Sequence, residues 1–400
     1  MRVPTQLLRA RRQKRPVDTD AASLAGCADN APMTAPKAPL LRVPRDSIEA
    51  SVRRLDAECD GVLSISPLAA DRAPSELKHV GYGDPALVRY RAKNGAERQL
   101  VFRTMGANWF GHDRRSDRAA LALLSADTYD DIPKHIHVLD VGGIHEDGTL
   151  TSLRDTGELY LITTYVEGEL YAKDLRRVEE TRVAKPTDVA RAVALASYLV
   201  ELHTAPFEGP PELYERAVRD LVGSGEGIFG IADSYPTPGP VSRVRLASIE
   251  ERCVEWRWRL KAKASRLCRT HGDFHPYNIL FREGVDFSVL DASRGCAGDG
   301  ADDVAALVIN FVFGAVVYPG SWREGLAPLW DAFWTTYLAG AGSGVLEVIA
   351  PFLAWRSLVV ASPVWYPNIS NDARHTLLRF AELGLMRSRF DPSDVESFAP

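Results

Sequence analysis

Residues 271–281 read HGDFHPYNILF: two histidines, an aspartate, a proline and an asparagine within eight residues, then an abrupt apolar run. A solvent loop has no need of that proline, and a core strand would not tolerate that acid. Phosphoryl transfer does need such a set. The acceptor hydroxyl requires a carboxylate to orient it and take its proton, and the nucleotide phosphates require Mg2+ held by hard oxygen ligands. Asp273 has the character of the base. Asn278, five residues on, can return its side-chain oxygen to the same place as a metal ligand, and Pro276 helps to hold the turn between them. A carboxylate ligand is then expected after the next hairpin. The stretch ILFREGVDFSVLDAS (279–293) reads as strand, turn at Glu283–Gly284 and strand, and ends on Asp291. Taken alone, Asp273 and Asn278 could equally be a turn using its side chains for local backbone bonds. Asp291 at a strand end and GDGADD at 298–303 weigh against that bland reading.

Composition sets the frame. The chain has 400 residues, 46% hydrophobic and 25% charged, with a formal net charge of −5. That length exceeds one ordinary core and predicts two packed lobes. The charge gives no nucleic-acid footprint. Cys27, Cys59, Cys253, Cys268 and Cys296 are scattered and odd in number. They suggest neither a disulfide framework nor a zinc site, but idle thiols in a reducing cytoplasm. No apolar run approaches the roughly 20 residues of a membrane span. The first twenty residues carry six Lys or Arg against two Asp and lack the apolar core of a secretory signal. Residues 1–44 are expected to be a disordered basic and Pro/Ala-rich tail.

Along the chain, RDSIEASVRRLDAECDGV (45–62) reads as a leading helix, with a linker to about residue 75. From Glu76 the pattern turns strand-rich, with a hairpin-type turn at Lys93–Asn94–Gly95. A helix is expected over 114–126, with Ala120, Leu121 and Leu124 on one face, and further strands within 135–148 and 158–170. Residues 76–166 are thus expected to form a β-rich nucleotide-binding lobe, and 167–400 a mostly helical catalytic lobe. Helices are expected at 187–206, with Val193, Ala196, Leu199 and Leu202 facing inward, and at 246–264.

HGD-x4-N, a hairpin and an apolar strand ending in Asp together resemble the aminoglycoside phosphotransferase and choline kinase-like family. GDGADDVA (298–305) resembles that family's G-D-x-x-x-D-x-A stretch, YVEGEL (165–170) its lobe-connecting hinge and LVELHTAP (199–206) its helix ending in Leu-His. The resemblance covers roughly 76–390, its specific part 271–305. It implies an α+β, protein-kinase-like two-lobed fold that uses ATP (or GTP) and Mg2+. It implies Asp273 as the catalytic base, Asn278 and Asp291 as metal ligands, Asp303 as an acid bracing the catalytic loop and His271 as the residue shaping it. The backbone of Tyr165, Val166 and Glu167 would seat the base of the nucleotide.

The N-terminal region departs from the family pattern. Where a lysine is expected on the third strand, LVFRTM offers Arg103, bulkier and planar. The usual helix glutamate corresponds at best to Asp117, and the longer Arg103 could compensate its shortness. Gly81 and Gly83 in VGYGD could let backbone amides approach phosphate, a weak signal on its own. Two functions compete. One is a small-molecule kinase moving the γ-phosphoryl group to a hydroxyl of an aminoglycoside-like antibiotic, amino alcohol or sugar. The other is a catalytically silent nucleotide-binding module, favoured by Arg103 and opposed by the retention of Asp273, Asn278 and Asp291. A protein kinase fits less well, since Ala292 follows Asp291 and no long activation segment fits before 298.

Overall fold

A computed structural model of the chain describes residues 43–68, 85–292 and 294–399. The expectations for the basic tail and for Gly81 and Gly83 lie outside the described residues. The fold is α+β, and its contacts divide between Tyr160 and Leu161 into two compact units.

The first unit opens with helix α1 (Arg45–Leu55), followed by strand β1 (Cys59–Pro67). The helix expected over 45–62 therefore ends early, and a strand takes its second half. Asp56 gives the reason. Its carboxylate accepts the Tyr90 hydroxyl at 2.9 Å, Arg98 at 2.6 Å and the Glu58 N–H at 3.0 Å. These bonds hold Asp56 in extended backbone, at φ −134°, where a helix cannot continue. Strand β1 pairs antiparallel with β2 (Pro85–Ala92), which pairs with β3 (Glu97–Arg103). Along β2, buried Ala86, Val88, Tyr90 and Ala92 alternate with more exposed neighbours, the period of a half-buried strand. Helix α2 (Arg115–Thr128) and the short pair β4 (Gly142–Ile144) and β5 (Leu150–Ser152) complete this unit.

The expected strand over 158–170 is nearly absent. Only β6 (Glu169–Leu170) is laddered, while Leu159, Tyr160, Leu161, Ile162 and Tyr165 are exposed. Strand propensity records fit to a pleated, half-buried surface, and this run has none to fit.

The second unit is helical: α3 (Tyr171–Thr181), α4 (Pro186–Thr204), α5 (Pro211–Gly223), α6 (Ile228–Asp233) and α7 (Arg243–Lys261). Strand β7 (Leu267–Arg269), the hairpin β8 (Ile279–Phe281) and β9 (Phe287–Val289), and β10 (Ala297–Asp299) follow. Helices α8 (Ala301–Val317), α9 (Ala327–Ala341), α10 (Ala350–Val360) and α11 (Asn371–Met386) complete the unit. Helix α8 is apolar almost all round and is buried from Ala301 to Ile309 except at Asp302, as such a helix must be. At roughly 1.5–3 kcal/mol for each fully buried large aliphatic, it is the anchor of this core. The inward face of α4 is Ala192, Leu195, Ala196 and Leu199, one step round from the expected stripe, with Val193 outside.

Polar ties lock the hairpin to these helices. Arg191 on α4 donates to the carbonyls of Gly284 and Arg282, both at 2.9 Å, pairs with Asp174 on α3 and lies over the Phe281 ring. One buried acid works against the fold. Glu179 on α3 faces Gly314 of α8, where any side chain would collide with its carboxylate, and Arg176 stands 3.9 Å away. Burial raises its pKa from the ordinary 4.5 to about 7. The folded state therefore binds the extra proton between those values, and stability falls as pH rises from about 4.5 to 7. Glu179→Gln should raise stability at pH 8 by on the order of 2–3 kcal/mol and add little at pH 4, read from urea unfolding at both.

Candidate active site

The site is built where β7 and β10 run antiparallel, Gly298 opposite Cys268. The chain leaves β7 into the 271–278 loop and leaves β10 into α8, so the ladder brings the start of the loop beside the first turn of α8. Asp299 fixes the junction. It is 2% exposed and receives both nitrogens of the Arg266 fork at 2.8 Å, the Tyr214 hydroxyl at 2.8 Å and the Ala301 N–H at 3.0 Å.

Asp303, one turn further on, is fully buried. Its two oxygens accept the backbone N–H groups of His271 at 2.7 Å and Gly272 at 2.8 Å. His203, at the end of α4, approaches one of them at 3.1 Å and meets the Tyr337 hydroxyl at 2.9 Å through its other nitrogen. Burial opposes the charge on Asp303, but His203 and the two peptide donors outweigh it and hold the pKa below the usual carboxylate range. Gly272 has φ +83°, and a side chain there would come within 3.0 Å of the Gly295 carbonyl. The loop can turn only on glycine at this point.

From that turn the loop presents Asp273. The His271 ring accepts the Asp273 N–H at 3.3 Å and packs edge-on against buried Phe274. Pro276 starts a single 3-10 turn that ends on Asn278. The Asn278 amide nitrogen donates to the Asp273 carbonyl at 3.0 Å and to Oδ2 at 3.2 Å, which turns its oxygen away from the acid. His275 accepts the Tyr277 N–H on Nδ1, so its Nε2 carries the proton that faces Asp273 Oδ2 at 3.4 Å. Arg356 from α10 donates to Oδ1 at 2.9 Å, and Arg294 stands 3.6 Å from the same atom. Burial works against the charge on Asp273, yet the His275 contact and the Arg356 and Arg294 charges outweigh it. They hold this acid well below the ordinary carboxylate range.

Asp291 follows the hairpin. The Leu290 N–H donates to the Asn278 carbonyl at 2.8 Å, one rung past the β8–β9 ladder, so the backbones of Asn278 and Asp291 lie within a residue of each other. Asp291 is exposed and left-handed, with φ 49°, an uncommon conformation outside glycine. Asn278 Oδ1 and the Asp291 carboxylate are hard oxygens, and magnesium usually takes only one or two protein ligands beside phosphates and water. The donor set fits that ion. No cluster of three or more His, Cys, Asp or Glu suited to a metal occurs among the described residues.

The first unit holds the other candidates. Arg103 is the exposed last residue of β3, opposite Pro85. Asp117 lies in the first turn of α2 and accepts the Arg114 N–H at 2.9 Å. In the second unit, Tyr165 and Glu167 are exposed, Val166 is half-buried, and the Glu167 carbonyl lies 3.4 Å from an Arg282 nitrogen. Sequence reasoning gives Arg294 and Asp302 no part at the site, weighs Arg356, with Trp355, Trp365 and Tyr366, as core packing first and an acceptor-pocket lining second, and gives His203 only a helix-end role. His275 sits inside the motif and was available from it. The contact of Arg356 with Asp273 carried no signal, the two being 83 residues apart and Arg356 lying in an apolar helix.

Comparison with known proteins defines the class. The family model described as APH, the phosphotransferase enzyme family, matches residues 89–337. The chain belongs to this family, and its α+β fold is of the protein-kinase-like type. Similar solved structures include a macrolide 2'-phosphotransferase type I, at 18% identity over 84% of this chain and 96% of that one, TM-score 0.30. An amicoumacin kinase bound to AMP-PNP, Ca2+ and Ami matches at 15% identity over 87% and 97%, TM-score 0.36. A glucosamine kinase matches at 15% identity over 83% and 96%, TM-score 0.39. No curated protein matches the sequence. No helix among the described residues is long and apolar enough to cross a membrane.

Breaking the buried acid at α8 should be costly. Asp303→Ala leaves two peptide donors and His203 unmatched, and should lower unfolding free energy by about 3–5 kcal/mol in chemical denaturation.

Proposed function

We propose that the protein is an ATP- and Mg2+-dependent small-molecule kinase that moves the γ-phosphoryl group to a hydroxyl of its acceptor. Residues 76–166 would serve the nucleotide and 167–400 the chemistry. The observation that carries the reading is the linked set in the second unit. Asp303 suspends the loop, the loop presents Asp273 and Asn278, and the hairpin returns Asp291 beside Asn278.

In this reading the acceptor hydroxyl docks on Asp273. As its oxygen bonds to the γ-phosphorus, its proton passes to the Asp273 carboxylate. The bond from phosphorus to the β–γ bridging oxygen breaks, and ADP leaves with that electron pair. Asn278 and Asp291 would hold magnesium, which neutralises charge on the phosphates when bound. Arg103 is the candidate phosphate contact and Asp117 its candidate partner, with Tyr165, Val166 and Glu167 beside the nucleotide's base. Asp273 lies below the usual carboxylate range, so it is ionised at neutral pH and acts mainly by orienting the hydroxyl. A late proton transfer suits the loose transition state of phosphoryl transfer. The acceptor is a small molecule with an alcohol group, met in the cytoplasm. Nothing in the charge balance calls for nucleic acid.

Transfer of labelled phosphate from ATP, screened over amino alcohols, amino sugars and hydroxylated antibiotics, tests this. Asp273→Ala should stay folded, melting somewhat below the wild type because Arg356 and Arg294 lose a carboxylate, and lose about 10²–10⁴-fold in transfer rate. A fully active Asp273→Ala removes the base assignment. A wild-type melting temperature that ATP leaves unmoved with and without Mg2+ would instead favour the silent module that Arg103 suggests.

A further inference from the structure

Asp273 is held from a direction that the 271–303 segment does not supply. Arg356 donates Nη1 to Asp273 Oδ1 at 2.9 Å and Nη2 to Asp302 Oδ1 at 3.2 Å. Arg294 approaches the same two oxygens, at 3.6 and 3.4 Å. Two acids and two guanidinium groups thus close a ring drawn from the loop, the segment after β9, the first turn of α8 and the middle of α10. Trp355 lies against both arginines, with the Arg294 and Arg356 guanidinium carbons 4.1 and 4.0 Å from its ring centre.

Arg356 is 7% exposed, and its Nε has no partner among the described residues. A desolvated guanidinium in the helix APFLAWRSLVV is costly, and leucine or methionine would pack there without that cost. Neutralising Asp302 does not account for it, because Arg294 already reaches that acid. What Arg356 alone adds is the short bond on Asp273 Oδ1. Each terminal nitrogen of the fork takes one oxygen of one acid, so the rigid guanidinium anchors Asp273 Oδ1 at a set distance from Asp302, which a single ammonium nitrogen does not do. With Oδ1 taken, Oδ2 keeps Asn278 at 3.2 Å and His275 at 3.4 Å. The His275 contact is longer than a well-formed hydrogen bond, so Oδ2 retains a position for an incoming hydroxyl.

We propose that Arg356 is a positioning residue for phosphoryl transfer: its bond to Oδ1 fixes the Asp273 carboxylate with Oδ2 turned to the acceptor hydroxyl. The inference rests on the assignment of Asp273 as the base. Arg356 acts through that acid, and through it the rotation of the base is set by α10.

The test is ADP release from MgATP with water as the acceptor, in four full-length variants beside the wild type. Arg356→Gln should lower kcat by about 10²-fold, the scale of an ångström's misplacement, with KM for MgATP unchanged. Arg356→Lys, which can reach one carboxylate, should recover part of that loss. In Arg356→Gln/Asp302→Asn neither charge of the pair is left unmatched. It should melt nearer the wild type than Arg356→Gln does, yet turn over as slowly, and it carries the test if Arg356→Gln alone does not fold. Wild-type kcat in Arg356→Gln, a loss expressed in KM alone, or recovery of turnover together with stability in the double variant would each overturn the inference. Asp273→Asn, run alongside, separates the two levels. If it turns over like the wild type, the base assignment falls. If it is inactive while Arg356→Gln is not, only the role of Arg356 falls.

Discussion

A carboxylate with no exposure holds this site together. Left alone in an apolar interior, the Asp303 charge would cost many kilocalories. Two peptide N–H groups, one imidazole and the first turn of a buried helix make it tolerable. The dependence runs one way. Apolar burial fixes α8, α8 fixes Asp303, Asp303 fixes the backbone of His271 and Gly272, and that backbone aims Asp273 and Asn278. The loop's geometry is thereby set by a core element, in keeping with the need of catalytic groups for rigid support.

Two acids four residues apart divide the labour. Asp299 joins β10 to helices α5 and α8 through Tyr214, Arg266 and the Ala301 amide. Asp303 reaches forward to the loop. Both are matched by several donors, which distinguishes them from Glu179, buried beside a backbone with one distant arginine.

What could be read from the sequence follows from how local each contact is. The loop, the hairpin and the helix after it were legible because their bonds join residues between 271 and 303, where turn chemistry and periodicity act. Strand β1 was hidden because the helix before it is ended by Tyr90 and Arg98, partners some 34 and 42 residues away. The β-branched run near 160 read as a strand because propensity says nothing about whether a ladder partner exists. Arg356 was hidden for a further reason. In an apolar helix that arginine reads as core packing or, less strongly, as the lining of an acceptor pocket, and only the fold puts it on Asp273. Gly81 and Gly83 carry no structural account.

The crossing of Gly272 under the Gly295 carbonyl limits where this architecture can vary. The loop cannot take a side chain at Gly272, where a Cβ would meet the Gly295 carbonyl at 3.0 Å. The connection between α10 and α11 is different. Arg374 clamps its backbone by donating to the carbonyls of Ala361, Tyr366 and Ile369, while the side chains of Val364 and Trp365 stay exposed. A connection clamped through main-chain oxygens owes its path to Arg374 rather than to its own exposed side chains, so exchanging Val364 or Trp365 leaves that path in place.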